Sequence, residues 1–313
     1  MKVSEIQDYC PGESPWGMSF FKQIDSFAFK PLLIDRLLNA TSNYLADCPS
    51  QQIDFQTPVL MRETIPLKRS KEIETAIYIS AIAQKLQKSQ QKSPIEIAQA
   101  IEGAIELSPD FTVEAIDGWI QFQIAESGLG NWLQRLNQWP SQTHRTELPQ
   151  NRESQPKFYS ARDLFAIEYA HARCCSLLRL GDREGLIALS EPTLCDRLGD
   201  RQILSPSPIP WLNDRNQLRL VHLTERTLIS RLITTLDTLS DFQGKRIPTQ
   251  FVKLATLLSQ NFLTFESKNR IWGDVKTTNL ALPQARLGLI RATQIVLKLL
   301  LEEALGVMAP TEM

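Results

Sequence analysis

A chain of 313 residues, 42% of them apolar, with a mean hydropathy of -0.20, has room for two domains that each bury a core. Its longest apolar stretch, near Leu287–Leu301, is interrupted by Arg291, Gln294 and Lys298, which excludes a membrane span. The net charge of -1 hides an asymmetry: residues 156–313 hold 20 Lys and Arg against 16 Asp and Glu, a net of +4, and residues 1–155 a net of -5. That balance excludes a strongly basic nucleic-acid domain but permits RNA binding, the more so because the C-terminal cations are 14 Arg to 6 Lys and arginine both forks onto phosphate and stacks on bases.

Met1-Lys-Val-Ser-Glu-Ile-Gln-Asp has no basic region followed by an apolar one, so no signal peptide is expected. The five cysteines, Cys10, Cys48, Cys174, Cys175 and Cys195, are odd in number and lack CxxC spacing. Neither a disulfide scaffold nor a zinc site is expected, and the chain reads as cytoplasmic with reduced thiols.

In chain order, residues 1–30, with Pro11, Gly12, Pro15 and Gly17 among aromatics, read as an irregular leader. Lys30–Leu45 reads as a helix, Gln52–Leu60 as a short strand or strand pair, and Ile73–Leu86 as a second helix from its Ile73, Ile77, Ile82 and Leu86 spacing. Ser93-Pro94-Ile-Glu96 is a capping signature that opens a helix to about Ile105. Phe111–Ile116 and Trp119–Ile124 alternate around Asp117-Gly118, a hairpin signal, and residues 127–138 form a further helix. Pro140 to Pro156 is almost devoid of apolar residues and reads as a linker. The predicted division is an α+β domain over 1–139, a linker over 140–157 and a helical bundle over 158–313. Within the bundle the predicted order is a helix ended by Gly181, a short helix near Arg183–Leu189, a Pro-rich crossing over 205–210, and long helices over Gln217–Leu239, from Pro248, and from Pro283 to Gly306. An irregular insertion is expected near Asn269–Asn279.

Catalytic signatures are missing. There is no Walker A loop, dinucleotide fingerprint, GxSxG elbow or HxxxH pair, and His144, His171 and His222 are far apart. No catalytic residue, cofactor or metal ligand is expected. His171 falls on an apolar helix side beside Leu164, Ile167 and Leu178 and reads as a buried, hydrogen-bonded structural histidine, and His222 on a Leu-rich segment reads the same way.

The informative stretch is Phe165-Ala-Ile-Glu-Tyr-Ala-His-Ala-Arg-Cys-Cys-Ser-Leu-Leu-Arg179. At about 100° per residue, Leu164, Ile167, His171, Cys174, Cys175 and Leu178 share one side of a helix, and Arg162, Ala166, Tyr169, Arg173 and Ser176 the other. A ring flanked by guanidinium groups suits unpaired RNA. The same pattern also fits an ordinary amphipathic helix with a solvated face.

Tyr169-Ala-His-Ala-Arg173 resembles the opening of the DALR anticodon-binding domain of arginyl-tRNA synthetases. Ala285-Arg-Leu-Gly-Leu-Ile-Arg-Ala-Thr-Gln-Ile-Val-Leu-Lys298 and Leu305-Gly-Val-Met-Ala-Pro-Thr-Glu-Met313 are similar to that family's last helix and terminal Ala-Pro-x-x-Met, and Arg246–Ile271 to its penultimate helix. Ser93–Ile101 with Val113–Phe122 resembles the family's N-terminal additional domain. The resemblance implies tRNA as partner, arginine tRNA being one candidate, and does not say which tRNA is bound. It places Arg162, Phe165, Tyr169, Arg173, Arg286, Arg291 and Met313 on the anticodon side, with Tyr169 stacking on a base and the arginines on phosphates or base edges. The family's catalytic domain and its HIGH and KMSKS motifs have no counterpart, so the resemblance implies RNA binding without aminoacylation. The chain departs from the pattern at Ala166, Glu168 and Glu312, where the family has an aromatic, a glutamine and an arginine. Each change removes a ring or adds negative charge, which opposes phosphate binding and leaves room for a protein partner on a repurposed scaffold, or for a separate catalytic subunit.

Overall fold

The computed structural model describes residues 18–47, 61–139, 161–191, 201–242, 248–273 and 280–313. The predicted linker 140–157, the strand Gln52–Leu60, Cys10, Cys48, Cys195 and His144 lie outside them.

The N-terminal half opens with two helices, α1 (Met18–Phe27) and α2 (Phe29–Ala46), so part of the expected irregular leader is helical. A four-stranded antiparallel sheet follows in the order β1-β2-β4-β3, built from β1 (Leu67–Arg69), β2 (Ile77–Ser80), β3 (Phe111–Ile116) and β4 (Trp119–Ile124). Period-two patterning makes it one-sided: Tyr78 and Ser80 of β2 pair with Phe122 and Ile120 of β4, and all four are buried. The expected helix over Ile73–Leu86 is therefore two elements, β2 and α3 (Ile82–Gln90). Ile77-Tyr-Ile-Ser meets a helical spacing and a strand alternation equally well, and pairing with β4 decides.

Two local signals produce the elements expected of them. Ser93 Oγ accepts from the Glu96 amide at 3.2 Å and Glu96 accepts from the Ser93 amide at 3.0 Å, capping α4 (Pro94–Ala104). The β3–β4 turn has positive φ at Asp117 (49°) and Gly118 (79°), as a two-residue hairpin of the primed type requires. α5 (Glu126–Asn137) closes this half.

The C-terminal half is helical: α6 (Ala161–Arg183), α7 (Leu223–Asp241), α8 (Pro248–Lys268) and α9 (Ala281–Leu299), the last continued by a π turn to Ala304. A two-stranded ribbon, β5 (Ala188–Leu189) with β6 (Ile203–Ser205), replaces the short helix expected near Arg183–Leu189. Gly181 lies inside α6, and the positive φ of 68° at Gly185 follows its end. α7 starts at Leu223 rather than Gln217, because His222 is its N-cap and bonds Thr224. His222 is consequently exposed, not the buried histidine expected. α9 is central: every residue from Leu287 to Leu299 is buried.

The buried apolar side chains of both halves form one cluster, and polar contacts fasten it. Tyr78 Oη donates to Asp237 Oδ2 at 2.5 Å, and the Lys30 amide to Oδ1 at 3.0 Å. Arg69 donates to the Ser230 carbonyl at 2.9 Å and to Thr234 Oγ1 at 2.6 Å. Gln134 Oε1 accepts from Trp211 Nε1 at 3.0 Å, and Asn137 donates to the Gly288 carbonyl at 3.2 Å. Gly288 is where α9 passes Trp211: a Cβ there would lie 2.6 Å from the indole, which is buried and held by Gln134. Gly288→Ala is expected to destabilise the fold by about 1–3 kcal/mol through overpacking, measured by chemical denaturation.

Candidate functional site

α6 carries the site. Packing against α8 and α9 buries Ile167, His171, Cys174, Cys175 and Leu178 of the expected stripe, leaves Leu164 partly buried, and also buries Ala170. Burial pushes the Cys174 thiol up and leaves it a neutral core group. On the outer side Phe165 is 58% and Tyr169 43% exposed. One helical turn apart, their rings are near-parallel, with centroids 6.4 Å apart and planes inclined by 14°. An exposed aromatic pair held by helical spacing is a stacking platform for another π-face.

One turn further, Arg173 directs Nε and a terminal nitrogen to Glu266 Oε1 of α8, both at 2.7 Å. That carboxylate raises the guanidinium's pKa further, so its charge is permanent, while 41% of the side chain stays exposed. Beside it opens a pocket of about 250 Å³ walled by Arg173, Glu266, Asn269, Arg270 and Trp272. Arg270 is exposed and Trp272 partly so. This cation and ring were not among the expected site residues. The signal for them was the Arg270-Ile-Trp272 spacing directly after α8, where no helical stripe draws attention to it.

The remaining expected residues disperse. Arg162 lies in α6 with its side chain outside the described residues. Met313 is 62% exposed at the end of a tail that runs back over α6, where Arg179 donates to the Thr311 carbonyl at 3.2 Å and pairs with Glu312 at 3.5 Å. Glu312 thus neutralises a cation of α6 as well as replacing one. Glu168 is buried rather than displayed on the exposed face beside Tyr169.

Two expected phosphate contacts are corrected. Arg286 is committed to Glu225 Oε1 at 2.7 Å and to the Arg270 carbonyl, with its side chain 11% and that of Glu225 1% exposed. Arg291, at 3% exposure, bonds Gln294 Oε1 inside the bundle. Gln294 donates to His171 Nε2 at 2.8 Å, and His171 Nδ1 lies 2.7 Å from the Pro310 carbonyl. A carbonyl can only accept, so the proton sits on Nδ1 and Nε2 is bare. Arg291, Gln294 and His171 form a core relay that pins the C-terminal tail.

Among the described residues no group of three or more His, Cys, Asp or Glu could hold a metal, and no helix is long and apolar enough to cross a membrane. Aromatic faces beside fixed cations can stack on planar rings and grip phosphates.

Comparison with known proteins finds relatives of the C-terminal half. Residues 167–313 match the DALR anticodon binding domain family. An arginine–tRNA ligase of Synechococcus sp. (strain JA-3-3Ab) is 30% identical over 147 residues, 47% of this chain and 22% of the relative. Those of Listeria welshimeri and Shouchella clausii are 29% and 28% identical over 150 residues, 48% of this chain and 22% of theirs. The chain therefore spans under a quarter of the length of these relatives. No solved structure matches it significantly.

Proposed function

Given an arginyl-tRNA synthetase-like chain whose residues 167–313 form a DALR-type domain, we propose that the protein binds tRNA, chiefly in the anticodon region, without aminoacylating it. The stacked and exposed Phe165–Tyr169 pair on α6 carries this reading: a rigid ring pair at the edge of a domain described as anticodon-binding suits unpaired loop bases. Arg173 and Arg270 supply charge beside it, and Arg162 and Met313 are the further contacts that the family resemblance implies. Arginine tRNA is the first substrate to test, since the matched relatives are arginine–tRNA ligases. The matched part is a fraction of those ligases, and we assign this chain recognition rather than chemistry, acting in the cytoplasm, with residues 158–313 as the RNA-binding unit.

Titration of labelled arginine tRNA and bulk tRNA tests the reading. Phe165→Ala/Tyr169→Ala is expected to weaken binding about 10- to 100-fold, at roughly 1–3 kcal/mol per stacked base. Weak binding that ignores the double substitution would sink it. A second reading, a scaffold that contacts a protein, draws on the withdrawal of Arg286 and Arg291 into the core and the pairing of Arg173 with Glu266. It predicts no tRNA affinity at physiological salt.

A further inference from the structure

A groove of about 560 Å³ lies where the two halves meet, between the β1–β2 segment and α7. Its walls carry five cations, Lys30, Lys68, Arg69, Lys71 and Arg231, against two carboxylates, Asp237 and Asp241. Both carboxylates are engaged: Asp241 pairs with Lys30 at 2.6 Å and Asp237 accepts from Tyr78 and the Lys30 amide. Among the described residues Lys68, Lys71 and Arg231 have no carboxylate partner.

The two arginines carry a second, independent mark. Arg69 uses its terminal nitrogens on Ser230 and Thr234, yet its Nε, like that of Arg231, is a buried donor with no acceptor. A buried unmatched N–H costs roughly 1–3 kcal/mol, and like charges sharing a groove repel. An anion with several oxygens relieves that repulsion and can take the guanidinium and ammonium donors that face the groove. No aromatic residue lines the groove, so it offers no face on which a base could stack. It is suited to phosphate and indifferent to sequence.

We propose that this groove binds backbone phosphates of the same tRNA, as a second contact supplied jointly by the two halves. The proposal rests on the tRNA-binding reading above. It places the N-terminal half's contribution on the strip from Lys68 to Lys71, within a half whose overall charge is negative. Phosphate seated there would bridge β1 to α7.

The test is the salt dependence of tRNA affinity for wild type, for Lys68→Ala/Lys71→Ala, and for Lys88→Ala/Lys253→Ala, which removes as much charge from exposed positions elsewhere. All four lysines are exposed, and equal thermal midpoints verify folding. With phosphates in the groove, the slope of log affinity against log salt falls by about 0.7–0.9 for each phosphate no longer neutralised, hence by roughly 1.5 in the first variant, and stays near wild type in the second. Equal slopes in wild type and the groove variant, or equal reductions in both variants, would overturn the groove. Tripolyphosphate is the small-ligand arm: if the groove variant loses tripolyphosphate binding while its tRNA slope is unchanged, the site takes free polyphosphate and the RNA assignment falls. Wild type that binds no tRNA overturns the tRNA-binding reading itself, a result distinct from tRNA binding that ignores the groove.

Discussion

Replacing Asp237 by alanine, where the halves meet, is expected to cost about 3–5 kcal/mol. The buried carboxylate accepts from Tyr78 Oη and the Lys30 amide. Alanine leaves both donors buried and unmatched, at roughly 1–3 kcal/mol each, and also deprives Arg69 of a nearby counter-charge. Aspartate itself is held at a cost. Burial pushes its pKa from 3.8 up to about 6, against the opposing pull of Tyr78, the Lys30 amide, Arg69 and Lys30. The sign follows: between those two values the folded state binds the proton and the unfolded state has released it, so stability is fully present below the ordinary aspartate value and declines as pH rises to about 6. At about 1.4 kcal/mol per pH unit the loss is about 3 kcal/mol. Urea denaturation at pH 4 and pH 7 checks it. Asp237→Asn, which cannot ionise, should have a profile flatter than wild type by that amount, and parallel profiles would refute the account.

Arg286→Ala is expected to destabilise the protein by about 3–5 kcal/mol, because it strands the Glu225 carboxylate, 1% exposed, without its cation. Glu225 also accepts from the His222 amide at 2.9 Å, so the start of α7 is drawn in, and the Asn269 and Arg270 contacts of Arg286 tie the end of α8 to the same point. Thermal or chemical denaturation should show the loss, roughly 2–4 °C of midpoint per kcal/mol for a chain of this size. Arg286→Ala/Glu225→Gln should recover a good part of it, since no charge is then left unpaired. The contrast with Phe165→Ala/Tyr169→Ala is diagnostic: the aromatic pair is exposed, so its removal should change tRNA affinity at nearly constant stability.

The elements legible in the sequence are those fixed by local chemistry. Ser93-Pro94-Ile-Glu96 contains both sides of its capping box, and Asp117-Gly118 tolerates the positive φ its hairpin demands. The register of α6 follows from period 3.6, and with it the separation of His171 from Tyr169. β2 is hidden because four residues satisfy two periods at once, and its partner β4 is about forty residues away. The start of α7 is hard to place because His222 is an unusual N-cap side chain. Arg286 and Arg291 look like surface cations because a helix with polar residues suggests a polar face. α9 has none over Leu287–Leu299, and whether an arginine goes inward depends on a Glu225 or Gln294 waiting there. The basic groove is invisible for the same reason. Lys68 and Arg231 have no sequence relation, and only the packing of β1 against α7 makes them neighbours.

The parallel rings of Phe165 and Tyr169 have a further consequence, for the entropy of recognition. An exposed aromatic side chain normally loses rotamer freedom when a partner immobilises it, roughly 0.5–1.5 kcal/mol for each side chain ordered at an interface. Here each ring already restrains the other from one turn away on a helix whose opposite side is locked in the core. Much of the ordering is thus complete before any partner arrives. The platform behaves as a preset flat surface rather than two independent rings, so removing either ring should also loosen the one that remains.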